Sequence, residues 1–345
     1  MNKNGSIIIA LTLLALPSAL HAQAAPAWVQ NLEQAYPSRE WVAVTAQGTS
    51  QSQAENAAMN ALARAFKTDV ASLTQTSQRM SQIVSDAAGK KSVAFDQSQN
   101  FSQDISASTN VRGLIGVQTD VYRAPDSAVY VNARMNRRES AARYSGMIRE
   151  NEAVINQLLA AAARYGVSFE GYSTLSFAAA IAEVTDNFQN ILEVLDPSAA
   201  NRRPGYGGTN AIKTAMQVYA AGITIGIVVD TENTADAALF RRALGAFFTD
   251  KGFKINEQGR GNYVLRAGAR FEELSQNVQT CRYYLDAALT DSGGLAVFTS
   301  TEDDRKNHPR TMSEARRLAV RAVETSIEEG IFAHDFDEWL TSLVD

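Results

Sequence analysis

The chain is poor in the residues that most often bind metals or act as nucleophiles. It contains one cysteine, Cys281, and three histidines among 345 residues. A lone cysteine excludes a disulfide within the chain, and a zinc site usually takes three or four histidine or cysteine ligands. Apart from His21 in the predicted leader, only His308 and His334 remain, in separate segments. The sequence therefore predicts no metal site and no cofactor.

Nucleophile and phosphate-binding motifs are also missing. No serine stands in a Gly-x-Ser-x-Gly turn. The glycine-rich stretches 205–209 and 259–261 lack the Lys-Ser/Thr ending of a phosphate loop. We expect a protein that is not an enzyme and has no catalytic residues. Acid catalysis by a pair of carboxylates is the one enzymatic alternative that this pattern leaves open.

An excess of positive charge is absent too: 32 lysines and arginines face 37 acidic residues, for a net charge of −5. Nucleic-acid partners normally require a basic face, so we expect none. The sole long apolar run, residues 7–20, follows Lys3 and precedes Ala22-Gln23-Ala24. This pattern predicts a cleaved signal peptide over residues 1–24 and a periplasmic protein. We expect no transmembrane segment, and no lipid anchor because no cysteine follows the leader.

The first folded unit is predicted from a strand, a turn and a helix. The strand covers 41–47, Gly48 opens a turn of a kind that often needs a positive φ, and the helix covers 52–66. Ser52 and Glu55 have the spacing of a capping box. Two further strands are expected over 111–122 and 128–135. The polar stretch 68–110 is either a long hairpin, which we favour, or a disordered tract.

These segments resemble the twenty-kilodalton envelope lipoprotein family (the LPP-twenty type) of Gram-negative bacteria and spirochaetes. The resemblance is carried by Pro26-Ala-Trp-Val29, Gln47-Gly-Thr-Ser50, the alanine-rich 54–63, and residues 116–122 and 128–134. The N-terminal part of the flagellar assembly protein T is similar. The resemblance implies a dodecin-like domain with one helix over an antiparallel sheet. It supplies no catalytic residues, and this chain lacks the lipid-bearing cysteine.

Helical periodicity dominates the middle of the chain. Helices are predicted over 139–165 and 173–195, and the short glycine-containing loop between them indicates an antiparallel hairpin. One face of the first helix is expected to be buried; it comprises Tyr144, Met147, Asn151, Val154, Leu158 and Tyr165. An exposed linker follows over 201–208.

The last third repeats the order strand, helix, strands, helix. Strands are predicted over 223–229, 263–271, 280–289 and 295–300, with helices over 235–251 and from Thr311 to Gly330. This order is similar to small domains of periplasmic assembly proteins, such as the curli secretion channel lipoprotein and the TolB N-terminal domain. Cys281 is expected in the core, His308 in solvent, and His334 partly buried on the last helix.

The fold class is therefore α+β, with two small antiparallel-sheet-plus-helix domains bridged by a long helical hairpin. The predicted division is a leader (1–24), an N-terminal domain (26–137), a hairpin (138–200), a linker with a short helix (201–222) and a C-terminal domain (223–345).

Three polar groups are candidates for binding, although no binding residue is assigned. Arg134, Arg137, Arg138 and Arg143 form a basic group at a strand–helix junction, which is expected to pair with acids such as Glu139 and Glu150. Residues 302–304 are acidic and precede Arg305 and Lys306, which indicates a self-neutralising turn. Tyr283 and Tyr284 point to opposite faces of one strand.

The sequence as a whole is typical of a structural or assembly protein of the envelope that acts through contacts with other envelope proteins. The resemblance to the lipoprotein family implies the flagellar or outer-membrane periphery as its setting. A homo-oligomer is compatible with it. The alternative is a binding protein for a small lipid or apolar ligand, held in a cleft between sheet and hairpin.

Overall fold

A computed structural model describes residues 25–66, 114–200, 204–256, 258–275 and 278–344. The predicted leader and the predicted hairpin over 68–110 lie outside these residues. The fold is α+β, as predicted, with a three-stranded antiparallel sheet, a five-stranded sheet and a long helical hairpin between them. The five-stranded sheet is mixed, whereas an antiparallel one was expected, because its strand Thr224–Asp230 pairs in parallel with both of its neighbours.

The N-terminal sheet has the strand order β1-β3-β2, and one helix, α3, covers it. The elements of this unit are α1 (Ala27–Gln30), α2 (Leu32–Ala35), β1 (Trp41–Gly48), α3 (Gln51–Ala65), β2 (Gln118–Arg123) and β3 (Val129–Asn136). Val42 lies opposite Met135 in the β1–β3 register, and both side chains are buried in the same core as Leu62 of α3. This arrangement matches the helix over an antiparallel sheet that the resemblance implied.

The start of α3 differs from the prediction. Ser50, not Ser52, is the N-cap, and its hydroxyl accepts the backbone N–H of Gln53 at 3.2 Å. The Gln53 side chain accepts the backbone N–H of Thr49 at 2.9 Å. The helix begins at this earlier cap because Ser50 and Gln53 have the Ser-x-x-Gln spacing, and each side chain accepts a backbone N–H group at the turn after β1.

Gly48 does not have the positive φ that such a turn often needs; the described glycines with positive φ include Gly116 and Gly166 instead. The reason for a glycine at this position is space. A Cβ at Gly48 would lie 2.7 Å from the backbone nitrogen of Ala54. The strand therefore passes so close to the first turn of α3 that no side chain fits.

The strand predicted over 111–122 is shorter than expected, since β2 begins at Gln118. Leu114 and Ile115 are buried, and a turn with Gly116 at φ +86° separates them from the strand. The hydroxyl of the fully buried Tyr144 accepts the backbone N–H of Ile115 at 3.0 Å. This contact fixes the turn against the hairpin, and burial raises the pKa of the Tyr144 phenol.

The hairpin consists of α4 (Arg137–Tyr165) and α5 (Phe169–Leu195). Gly166, at φ +64°, ends α4 as expected. α5 begins four residues before the predicted start because the Ser168 hydroxyl accepts the backbone N–H of Gly171 and caps the helix. Tyr165 was wrongly placed on the buried face; it is 41% exposed.

The two ends of the hairpin are built into different cores. Near one end, Tyr144 and Phe188 pack edge to face with centroids 5.4 Å apart, within the core of the N-terminal sheet. At the other end, Phe169 and Tyr172 belong to the core of the five-stranded sheet. The hairpin is thus a shared structural element and not a detachable bridge.

The five-stranded sheet has the order β5-β4-β6-β7-β8. The remaining elements are α6 (Pro197–Ala200), α7 (Thr209–Gly222), β4 (Thr224–Asp230), α8 (Thr234–Asp250), β5 (Lys254–Asn256), β6 (Tyr263–Ser275), β7 (Gln279–Thr290), β8 (Ala296–His308), α9 (Met312–Glu329) and α10 (Ile331–Ser342). β4 pairs in parallel with β5 and β6, whereas β6, β7 and β8 pair antiparallel.

The last strand is much longer than predicted. β8 continues from Ala296 to His308, so the acidic residues 302–304 form part of a strand and not a turn. Glu302 explains the difference: it accepts the Tyr283 hydroxyl at 2.5 Å, and it accepts the Ser326 hydroxyl of α9 as well. These two bonds hold the charged half of the strand against β7 and the helical layer.

Candidate functional site

The residues that sequence reasoning considered for chemistry lie apart or are inaccessible. Cys281 is fully buried, as predicted, and burial raises the pKa of its thiol. His334 is exposed and not partly buried as expected, with 79% of its side chain accessible. Within the described ranges, no group of three or more histidine, cysteine, aspartate or glutamate residues could hold a metal ion. The absence of catalysis nevertheless stays a prediction.

Strand pairing brings Cys281 and His308 closer than their sequence positions suggest. His308 lies opposite Gln279, and Cys281 lies opposite Lys306, so the two residues are diagonal neighbours on one face. His308 is half-buried rather than fully in solvent, and its Nδ1 accepts the backbone N–H groups of Arg310 and Thr311. This nitrogen therefore accepts hydrogen bonds from the backbone just before α9. It is not positioned to accept the proton of the Cys281 thiol.

The predicted basic group does not pair with Glu139 or Glu150. Arg134 binds Asp120 instead, with its Nη1 at 2.5 Å from the carboxylate. Its guanidinium also lies 4.6 Å from the centre of the Tyr36 ring. Arg137 donates to the carbonyl oxygens of Ser38, Val194 and Leu195, which ties the sheet to the end of α5. These two arginines therefore have structural partners.

A groove remains beside them at the start of α4. It has a volume of about 690 Å³, and Arg39, Arg137 and Arg138 share its lining with Glu40, Glu139 and Asp196. The mixed charge of this lining favours no single class of ligand. The space between the N-terminal sheet and the hairpin, where an apolar ligand was the alternative, holds the buried side chains of Tyr144, Met147 and Phe188.

The strongest candidate surface is the free edge of β8. β8 is the last strand of its sheet and has thirteen residues, whereas β5 at the opposite edge has three. In the described part of the chain, β8 pairs with β7 alone. An edge strand presents unpaired backbone N–H and C=O groups, which are a template for pairing with another chain.

One half of this edge lies beside a groove formed with α10. The groove has a volume of about 570 Å³ and is lined by residues 297–301 of β8 together with Asp335, Glu338, Trp339 and Ser342. Asp335 accepts the Ser300 hydroxyl at 2.6 Å, so the helix is fixed at the edge of the sheet. A strand edge next to a helix is the geometry in which other folds bind an added strand.

The other half of the edge is charged, with three acidic residues (302–304) followed by Arg305 and Lys306. On the outer face, Arg282 of β7 binds Asp303 of β8 at 2.5 Å, and this bond raises the pKa of the guanidinium. On the core-side face, the Lys306 ammonium binds Asp304 at 2.6 Å and lowers the pKa of that carboxyl. Arg305 lies directly opposite Arg282, a pairing of like charges.

No known family model matches this chain, and no curated protein matches it. Solved structures similar to about a third of it include two lipoproteins and a PelC variant. A minor lipoprotein from Acinetobacter baumannii is 14% identical, with 35% of this chain and 94% of that chain covered and a TM-score of 0.25. A candidate lipoprotein from Caulobacter crescentus is 14% identical, with 38% and 97% covered and a TM-score of 0.26.

The third is a dodecameric PelC variant from Paraburkholderia phytofirmans. It is 15% identical, with 32% of this chain and 83% of that chain covered and a TM-score of 0.22. The similarity concerns fold over a limited part of the chain. Separately, none of the helices in the described ranges is both long and apolar enough to cross a membrane.

Proposed function

We propose that this protein is a non-enzymatic protein of the bacterial cell envelope that acts through protein–protein contacts at the β8 edge. The predicted leader over 1–24 supports an envelope location. The observation that carries the proposal is the thirteen-residue edge strand, whose outward backbone groups have no partner in the described part of the chain. The flagellar and outer-membrane peripheries are the two settings that the family resemblance suggests.

The contrast between the two edges of the same sheet supports this choice. Natural sheets protect their edges with very short edge strands, bulges, charged side chains or a covering element. β5, with three residues, follows the first strategy, whereas β8 is thirteen residues long and has charged side chains over 302–306 but no strand that covers it in the described part of the chain. A long open edge is a liability in a protein that works alone, and it is useful in a protein whose partner adds a strand.

Site-specific crosslinking in intact cells tests the proposal. A photo-crosslinking side chain at Thr301, which is exposed on β8, should yield a covalent protein adduct because the partner lies against this edge. The matched control is Lys254, exposed on the β5 edge of the same sheet, where no adduct is expected. Absence of an adduct at Thr301, or equal adducts at both positions, would contradict the proposal.

A further inference from the structure

We propose that the partner of the β8 edge is a second copy of this chain, and that two β8 strands pair antiparallel to form one continuous ten-stranded sheet. This inference rests on the proposed function and names its partner. The order of charges along 302–306, Glu-Asp-Asp-Arg-Lys, is what favours a copy of itself over an unrelated strand. Acidic groups come first and basic groups follow, so the strand complements its own reverse.

Symmetry restricts the registers that are possible. Two copies that share one continuous sheet are related by a two-fold axis perpendicular to it, so residue i of one copy contacts j of the other and j contacts i. Opposite residues of an antiparallel pair lie on the same face. The two residues must therefore both be even-numbered or both be odd-numbered.

Among the registers that satisfy this condition, one joins opposite charges at two different residue pairs. With Asp304 on the axis, Asp303 lies opposite Arg305 of the second copy, and Glu302 lies opposite Lys306 of the second copy. The two-fold axis makes each pair occur twice. The carboxylates of the two Asp304 residues meet at the axis, but each already binds Lys306 of its own chain at 2.6 Å. Residues 300–308 of both copies overlap.

The neighbouring registers are worse. With Arg305 on the axis, Asp304 lies opposite Lys306 of the second copy, but Asp303 lies opposite Asn307 and loses its basic partner across the axis. Two guanidinium groups that have no ion-pair partner among the described residues then face each other. With Asp303 on the axis, Glu302 lies opposite Asp304 of the second copy. Like charges directly opposite in a sheet are destabilising, and opposite charges are favourable. The charges therefore select one alignment and disfavour its neighbours.

Arg305 supplies a separate reason for a partner carboxylate at this place. Within one chain, its cross-strand neighbour on β7 is Arg282, whose guanidinium already binds Asp303. In the described ranges no acid pairs with Arg305. In the symmetric register, Asp303 of the second copy lies directly opposite Arg305 and compensates the repulsion between the two arginines.

The interface is small, because nine residues from each strand pair at one edge. Interfaces at the low end of the size range are weak and reversible. Self-association is thus concentration-dependent, and changes of single charges should have a measurable effect on it. Sedimentation equilibrium of the purified full chain over a wide concentration range measures the dissociation constant.

Charge reversal by two single variants provides the decisive test. Asp303→Arg and Arg305→Asp should each weaken self-association about tenfold or more, because each places like charges at both symmetry-related positions. A one-to-one mixture of the two variants should associate about as well as the native chain, since opposite charges then face each other at both positions. The double variant should also recover association.

The control variants reverse an arginine and an aspartate in the same way, but on strands that are not at the β8 edge. Arg270→Asp on β6 and Asp286→Arg on β7 change exposed outer-face residues of interior strands and should leave self-association unchanged. Thermal melting checks that every variant is folded. Arg305→Asp should not lower the stability of the monomer, because it places a carboxylate opposite Arg282 of its own chain.

Failure of self-pairing can be told apart from failure of the proposed function. A native chain that stays monomeric at all concentrations, or a mixture that associates no better than the single variants, overturns self-pairing. If Thr301 then still crosslinks in cells to a different protein, the contact function survives with another partner. If Thr301 gives no adduct, both are overturned. Recovery in the mixture supports self-pairing.

Discussion

Replacing Phe169 with alanine should lower the free energy of unfolding by about 3–5 kcal/mol. Phe169 is the first residue of α5 and is 1% exposed. Its ring lies 4.5 Å from the ring of Tyr263, 5.1 Å from that of Phe253 and 5.1 Å from that of Trp339, centre to centre. Truncation removes these contacts and leaves a cavity between the hairpin and the five-stranded sheet.

Urea unfolding followed by circular dichroism measures this effect. Tyr165→Ala is the matched control, because it removes an aromatic ring from the same hairpin where the side chain is 41% exposed. We expect that control to change stability by less than about 1 kcal/mol. Equal effects of the two substitutions would show that the hairpin is not anchored in the C-terminal core by Phe169.

Gly48→Val should destabilise the N-terminal unit by about 3 kcal/mol. The added Cβ would lie 2.7 Å from the nitrogen of Ala54 and 3.1 Å from the carbonyl oxygen of Ser50. Both atoms belong to the backbone, so the clash cannot be relieved by a side-chain rotation. The helix would have to move away from β1, at the cost of contacts in the core that α3 buries.

A second glycine in a strand serves as the control for this substitution. A Cβ at Gly268 of β6 would lie 3.8 Å from the carbonyl oxygen of Asp230, which is an ordinary contact. Gly268→Val should therefore change the melting temperature little. If Gly48→Val is as well tolerated as Gly268→Val, the close approach of β1 to α3 is not what requires glycine at position 48.

The sequence predicted the elements that have a clear periodic pattern. α4 and α5 follow an apolar stripe at helical spacing, and β7 alternates from Cys281 to Leu289, so most of their core residues were identified correctly, with Tyr165 as the exception. The His334 prediction failed although the same reasoning was available. Phe332, Phe336 and Leu340 define the buried side of α10, and a residue two positions after Phe332 points the opposite way.

The candidate surface could not be predicted from periodicity. The second half of β8 contains no apolar residue at alternating positions, so it was interpreted as a turn. What makes it a strand is its neighbour: Tyr283 and Ser326, distant in sequence, both bind Glu302. β8 lies at the sheet edge because β4 pairs beside β6 and not beside β8, which is tertiary information.

The most direct measurement of self-pairing at the β8 edge uses a single new cysteine at position 304. The proposed two-fold axis passes between the two copies of Asp304, so their Cα atoms are about 4.5–5.5 Å apart, within the range of a disulfide. Cys281 is buried and does not compete. Thr299→Cys on the same edge is the control, because no second cysteine lies opposite it in this register.

Under mild oxidation, Asp304→Cys should form a disulfide-linked dimer of the full chain, while Thr299→Cys should remain monomeric. The dimer should disappear when Arg305→Asp is added, since that change weakens the noncovalent pair that brings the thiols together. An Asp304→Cys chain that stays monomeric, or that crosslinks no more than Thr299→Cys, would contradict the account.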